Sequence, residues 1–163
     1  MATSTMRAGE EGQLNALTTI FPEGINSITE DGWEEIEMTV DSGASKTVIG
    51  VDMINSVELR DGPAKRRGVA YEVANGVRIP NLGEKRFVGT SDEGISRQIV
   101  AQVCDVNKPL LSVRRMVNAG NRVIFDRTGS YIEDPITGEI MNLEEKQGMY
   151  VLRPWTKISR TSF

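Results

Sequence analysis

The sequence MTVDSGASKTVIG, residues 38–50, gives the strongest structural signal in the chain. Just before and within it, Ile36, Met38 and Val40 alternate with polar residues, and this period of two predicts a strand with one buried face. The strand leads directly into Asp41, which places an acid at a strand end. Because Asp, Ser and Gly are also common turn formers, the same residues fit an ordinary turn. Other segments of the sequence are needed to tell whether Asp41 is a functional acid or part of an ordinary turn.

Two β-hairpins are predicted from turn residues between alternating segments. Segments 25–29 and 33–40 flank Asp31-Gly32, and segments 69–74 and 77–80 flank Asn75-Gly76. Asp-Gly and Asn-Gly suit two-residue turns, since both turn positions tolerate positive φ.

The remaining pattern predicts further strands and one helix. Strands are expected at residues 85–90, 96–106, 122–126, 130–133, 139–143 and 148–152. A short helix is expected at 113–119, with Ser112 as its N-cap and Gly120 as its C-terminal stop. Many short strands with one short helix are typical of an all-β barrel or sandwich. We expect this domain to span residues 25–155, between a flexible tail at 1–24 and a C-terminal tail at 156–163.

Composition excludes several functional classes. The chain has 163 residues, 39% of them hydrophobic, which suits one domain. It contains no histidine, so a Ser-His-Asp triad, a Cys-His pair and the usual zinc sites are excluded. Cys104 is the only cysteine, which fits a reducing, intracellular compartment. We expect no metal and no cofactor.

Membrane and nucleic-acid partners are not expected either. No apolar stretch approaches the roughly 20 residues of a membrane span. The formal net charge is −4, and Lys and Arg are scattered among Asp and Glu. Lys65-Arg66-Arg67 could contact nucleic acid, yet three basic residues in a connection usually mark an exposed surface. We therefore expect no directly bound nucleic acid.

Residues 38–50 resemble the hydrophobic-Asp-Ser/Thr-Gly-Ala/Ser signature of retropepsin-like aspartic proteases. The hairpin at Asn75-Gly76 lies where that family carries a flap over its substrate. Leu110-Leu111-Ser112 is similar to the family's apolar-apolar-Gly element before a helix, with Ser in place of Gly. Residues 109–152 resemble the region that follows the protease motif in copia-type retrotransposon polyproteins. The resemblance spans about residues 37–152.

The resemblance implies a fold and a set of site residues. It implies an all-β, retropepsin-like closed barrel with one short helix per subunit, active as a homodimer without a cofactor. The catalytic residue would be Asp41, with the active-site loop supported by Ser42, Gly43 and Ala44. Flap and substrate-binding residues would be Ala74, Asn75, Gly76 and Val77, and second-loop support would come from Leu110, Leu111 and Ser112. Apolar substrate pockets would be lined by Val48, Ile49, Val77 and Ile79.

The resemblance also implies the substrate and the location. The protein would cleave extended polypeptide segments of a polyprotein inside the cell, in the cytoplasm or within a retroelement particle. Aspartic protease chemistry needs two carboxylates that share one proton. The nearest second match, VIFDRTG at residues 123–129, has Arg127 between the acid and Thr-Gly and is interpreted as a hairpin turn. With one acid per chain, a twofold dimer would supply the second.

Two other interpretations remain open at this stage. The chain could be a non-catalytic dimeric β-module, derived from a retroelement protease and used for interaction or assembly. It could also be an unrelated β-barrel binding domain in which Asp41 only caps a turn.

Overall fold

A computed structural model describes residues 26–28, 32–72 and 75–158, and for residues 26–28 it describes the backbone alone. The expected N-terminal tail at residues 1–24 lies outside the described residues, as do Asp31 of the first predicted turn and Ala74 of the predicted flap.

Within those residues the chain forms fourteen strands and two short helices. The strands are β1 (Asn26–Ile28), β2 (Trp33–Ile36), β3 (Met38–Asp41), β4 (Val48–Gly50), β5 (Ala70–Glu72), β6 (Arg78–Pro80), β7 (Gly83–Thr90), β8 (Ser96–Cys104), β9 (Leu110–Ser112), β10 (Arg122–Ile124), β11 (Ser130–Glu133), β12 (Ile140–Lys146), β13 (Met149–Leu152) and β14 (Trp155–Lys157). The helices are α1 (Pro63–Arg66) and α2 (Val113–Asn118). Of the described residues, 48% lie in strands and 8% in helices, which confirms the prediction of an all-β fold.

Twelve of the strands form one sheet in the order β1-β2-β14-β7-β8-β4-β9-β3-β13-β12-β11-β10. The sheet is not closed, so the closed barrel expected from the resemblance is wrong for the single chain. The reason lies in strands β10 to β13, where each strand pairs antiparallel with its sequence neighbour. This meander continues outward from β3 and does not return to β1.

The expectation of one helix is also corrected. Helix α2 begins at Val113 as predicted, because the Ser112 side chain accepts a hydrogen bond from the backbone N–H of Arg115. It ends at Asn118, one residue before the predicted end, and Gly120 beyond it has a φ of 99°. Helix α1 was predicted as an exposed connection. It has Pro63 in its first turn and no buried residue, so no apolar periodicity marks it in the sequence.

Both predicted hairpins form, since β1 pairs antiparallel with β2 and β5 with β6. Strand β14 was not predicted. It pairs with β2 and β7 and extends two residues past the domain end expected at residue 155.

The feature that positions the site is an inserted strand. β9 lies between β3 and β4, parallel to β3 and antiparallel to β4. The chain leaves β3 at Asp41, passes over the end of β9 in residues 42–47, and re-enters the sheet on the far side. The acid therefore ends β3 directly beside β9, at the start of the loop that crosses β9.

A buried lysine closes the turn that follows β4. Lys85 is 4% exposed, and its ammonium donates hydrogen bonds to the carbonyl oxygens of Met53 at 3.0 Å and Ile54 at 2.9 Å. Ile54 has a φ of 53°, which is uncommon for a β-branched residue. The two bonds hold this strained turn against β7.

Candidate active site

Asp41 is the last residue of β3 and is only 8% exposed. The backbone N–H of Gly43 donates a hydrogen bond to its carboxylate oxygen Oδ1 at 2.7 Å. The Ala44 N–H donates to the Asp41 carbonyl at 3.4 Å, which closes the loop as a turn. A core strand on one side and a charge-assisted bond on the other thus fix the carboxylate. Ser42, one of the residues expected to support the active-site loop, is exposed.

Ser112 fastens this loop to the strand beneath it. It is fully buried and is the register partner of Asp41 in the parallel pair β3–β9. Its hydroxyl donates to the Ala44 carbonyl oxygen at 2.6 Å and accepts from the Arg115 N–H at 3.2 Å. Its own N–H donates to the Thr47 hydroxyl at 3.1 Å. One side chain therefore links the acid loop, strand β9 and helix α2.

For Ser112 the sequence predicted the N-cap, and the resemblance implied support of the second loop, but neither gave the bond to Ala44. The bond to Ala44 joins residues 68 positions apart, and local sequence patterns do not reveal a contact of that range. A glycine at this position, as in the resembling family, would have no hydroxyl to make either bond.

The predicted flap hairpin packs onto the same loop. Tyr71 of β5 is fully buried in a cluster with Ala44, Val48 and Leu110. The Asn81 side-chain amide donates to the Tyr71 hydroxyl at 3.0 Å. Burial raises the pKa of this hydroxyl above its usual value. The base of the hairpin is therefore anchored to the residues around Asp41.

The hairpin tip is exposed. The Asn75 side chain accepts a hydrogen bond from the Val77 N–H at 3.0 Å, and Gly76 has a φ of 83°. Val77 is 53% exposed, although it is apolar. An exposed apolar side chain at the end of an anchored hairpin is available for contact with another molecule.

The residues expected to line substrate pockets divide into two groups. Val48 and Ile49 are fully buried in the core, so they are not available to contact a substrate. Val77 and Ile79 belong to the hairpin and retain exposed surface. The sequence could not separate them, because an apolar residue in a strand can face either the core or a cleft.

The second acidic match is a hairpin turn, as predicted. Asp126 lies in the connection between the antiparallel strands β10 and β11, and its carbonyl accepts from the Gly129 N–H at 3.1 Å. The Thr128 hydroxyl donates to the Asp126 carboxylate, and this bond lowers the pKa of that carboxyl. The side chain is exposed, unlike that of Asp41.

A group of cations beside the acid loop was not singled out from the sequence. Lys46 lies in the loop five residues after Asp41 and is half-buried. Burial lowers the pKa of its ammonium, and so does the positive charge of Arg115, Arg114 and Arg67. These residues are far apart in the sequence, and only the insertion of β9 brings Arg114 and Arg115 to the loop.

One cavity adjoins the end of the acid loop at Thr47 but is not lined by Asp41. It measures about 350 Å³ and is lined by residues that include Ile99, Leu111, Met116, Ile132 and Leu152. Neither Asp41 nor the hairpin contributes to it.

Across residues 32–72 and 75–158, no three or more Cys, Asp and Glu side chains are grouped so that they could hold a metal ion. The helices in this part of the chain are too short to cross a bilayer.

Comparisons with protein-family models, with curated proteins and with solved structures find no match to this chain.

Proposed function

We propose that the chain is one subunit of a retropepsin-like aspartic endopeptidase, in which Asp41 and the Asp41 of a second copy form the catalytic pair. The observation that carries the proposal is the fixed position of the carboxylate. It stands at the end of a core strand, accepts the Gly43 N–H, and lies in a loop onto which a hairpin packs. A residue that only caps a turn needs neither the buried strand beneath it nor the hairpin.

The chemistry follows from placing two such carboxylates together. Two negative charges ~4 Å apart repel by about 4 kcal/mol at an effective dielectric near 20, roughly a thousandfold change in proton affinity. One carboxyl of the pair therefore keeps its proton at pH values where an isolated aspartate is ionised.

Peptide hydrolysis then needs no other group. The ionised carboxylate removes a proton from water, whose oxygen forms a bond to the scissile carbonyl carbon. The protonated carboxyl donates its proton to the carbonyl oxygen. The resulting diol collapses, the C–N bond breaks, and a proton passes to the leaving nitrogen. The hairpin of β5 and β6 would hold the peptide extended, as in other strand-addition modes.

A peptide library at pH 4 to 7 tests the proposal, with sedimentation to follow the dimer. The wild-type protein is expected to cleave peptides, and Asp41→Asn is expected to abolish cleavage while the dimer persists. Asp126→Asn is the matched control, since this acid lies in an exposed turn, and we expect it to retain activity. Cleavage by Asp41→Asn, or wild-type cleavage by a strict monomer, would contradict the proposal.

Mixing the two proteins tests the shared site directly. If each active site needs an Asp41 from both subunits, activity in subunit-exchanged mixtures falls with the square of the wild-type fraction. A linear fall would mean that each chain carries a complete site, and it would refute the dimeric mechanism.

A further inference from the structure

Lys46, Arg67, Arg114 and Arg115 form a cationic patch beside the Asp41 loop. Contacts of neighbouring residues bring them together: the Ser112 N–H bonds to the hydroxyl of Thr47, next to Lys46, and Val69, two residues after Arg67, packs against the cluster that contains Ala44. The positive charge of the three arginines adds to burial in lowering the pKa of the Lys46 ammonium. Within the described residues none of the four makes an ion pair with a carboxylate. The chain has an excess of acidic residues, with 23 Asp and Glu against 19 Lys and Arg, so carboxylates are not in short supply.

The position of the patch follows from the hydrogen bonds that tie α2 to the loop. Ser112 pairs in register with Asp41 and bonds to the Ala44 carbonyl, and Arg114 and Arg115 follow it directly. Lys46 lies in the connection between β3 and β4, two residues beyond Ala44. The patch therefore adjoins the residues that hold the acid.

Among the other described arginines, some pair with carboxylates and some, such as Arg78 and Arg127, do not, so the patch is distinguished by the grouping of its cations. Arg97 contacts Asp134 and Glu139, and Arg153 contacts Glu37 and Glu144. Unpaired like charges repel, so leaving them together costs stability unless a ligand neutralises them. A surface with one sign of charge attracts ligands of the opposite sign, so the patch favours an anionic ligand.

We infer that the patch selects substrates with an acidic side chain a few residues from the scissile bond. The inference rests on the proposed function, because it takes Asp41 to mark the place where the peptide is cut. An extended peptide advances about 3.3 Å per residue, so a side chain two or three positions from the cut can reach residues flanking the loop. A peptide fits the patch better than nucleic acid does, since sites for single-stranded nucleic acid add aromatic residues that stack on bases, and segments 44–48, 65–69 and 112–117 contain none.

Binding is measured with the Asp41→Asn variant, which separates recognition from cleavage. The probes are ten-residue Ala/Val peptides with one Glu scanned along the sequence, and the same peptides with Gln or Lys in its place. In calorimetric titrations the best Glu peptide is expected to bind about fivefold more tightly than its Gln counterpart. The preference is expected to shrink at high salt, because exposed charges are screened.

Charge reversal then identifies the residues. Arg114→Glu and Arg115→Glu, together in the Asp41→Asn background, are expected to reverse the preference in favour of the Lys peptide. An acid in the first turn of a helix is favourable, so folding is expected to persist. Arg127→Glu, in the exposed turn after β10, is the matched control and is expected to leave the Glu preference unchanged.

Each outcome distinguishes the two proposals. Wild-type cleavage that ignores peptide charge, or an unchanged preference in the reversed variant, overturns the inference and leaves the protease proposal intact. Acid-selective binding without cleavage by the wild-type protein overturns the protease proposal and leaves the patch as a binding surface. Tighter binding of a single-stranded oligonucleotide, with displacement of the Glu peptide, overturns the assignment to peptides.

Discussion

The Ser112 hydroxyl lies 2.6 Å from the Ala44 carbonyl oxygen and joins the loop of the candidate catalytic acid to the strand inserted beneath it. Both residues are almost completely buried, so neither the hydroxyl nor the carbonyl can form a replacement hydrogen bond with water.

Ser112→Ala is expected to lower the free energy of unfolding by about 2–3 kcal/mol, because it leaves the Ala44 carbonyl without its donor and removes the cap of α2. Urea denaturation measures the change. Ser96→Ala is the control, since the Ser96 hydroxyl bonds to Thr90 at an exposed position and its loss is expected to cost little. Equal midpoints for Ser112→Ala and wild type would contradict the role given to Ser112.

Lys85→Met is expected to destabilise the fold by about 1–3 kcal/mol. The substitution keeps much of the side-chain volume but leaves the carbonyls of Met53 and Ile54 without a donor in a buried turn. Burial of the ammonium already lowers its pKa, and removing the charge offsets part of the loss. Thermal unfolding measures the effect, with Lys65→Met in the exposed helix α1 as the control. A stabilised Lys85→Met protein would show that the desolvation cost outweighs the two hydrogen bonds.

Tyr71→Ala is expected to release the flap hairpin from the Asp41 loop. The ring fills the cluster around Ala44 and Leu110, and its removal is expected to cost about 3–5 kcal/mol. Hydrogen exchange of the β5 and β6 amides reports whether the hairpin detaches. Val77→Ala at the exposed tip is the control and is expected to leave exchange unchanged. Full protection of β5 in Tyr71→Ala would contradict the anchoring role.

Cys104 is expected to be unreactive in the folded protein. Burial raises the pKa of its thiol to about 12, so at pH 8 the reactive thiolate is almost absent. A thiol reagent such as DTNB is expected to modify it only after unfolding, so that the labelling rate follows the denaturant concentration. Rapid stoichiometric labelling in native buffer would contradict the burial of this residue.

Local sequence patterns predicted many of the strands. They failed where the structure depends on pairing between residues that are far apart in the sequence. Alternation located β3, and Asn-Gly located the β5–β6 turn, because both signals involve neighbouring residues. The open sheet could not be foreseen, since closure depends on where the outer meander runs. Strand β14 was missed for a related reason: residues 155–157 are too few to show a period, and their strand conformation comes from pairing with β2 and β7.

At the candidate site, too, local patterns were predicted from the sequence and long-range contacts were not. The sequence identified Asp41, the hairpin and Leu110-Leu111-Ser112 as separate segments, and the structure packs all three around one loop. It did not identify Lys46 with Arg114 and Arg115, because separate basic residues usually mark solvated surface. Burial of Val48 and Ile49 likewise depends on which face of β4 meets the core.

The insertion of β9 between β3 and β4 sets an order of events during synthesis. The loop at Asp41 lacks its neighbouring strand β9 until the chain has been extended to Ser112, 71 residues later. A nascent or truncated chain that stops earlier holds the acid but lacks its support. Any activity that depends on this carboxylate is thereby withheld until most of the domain has left the ribosome.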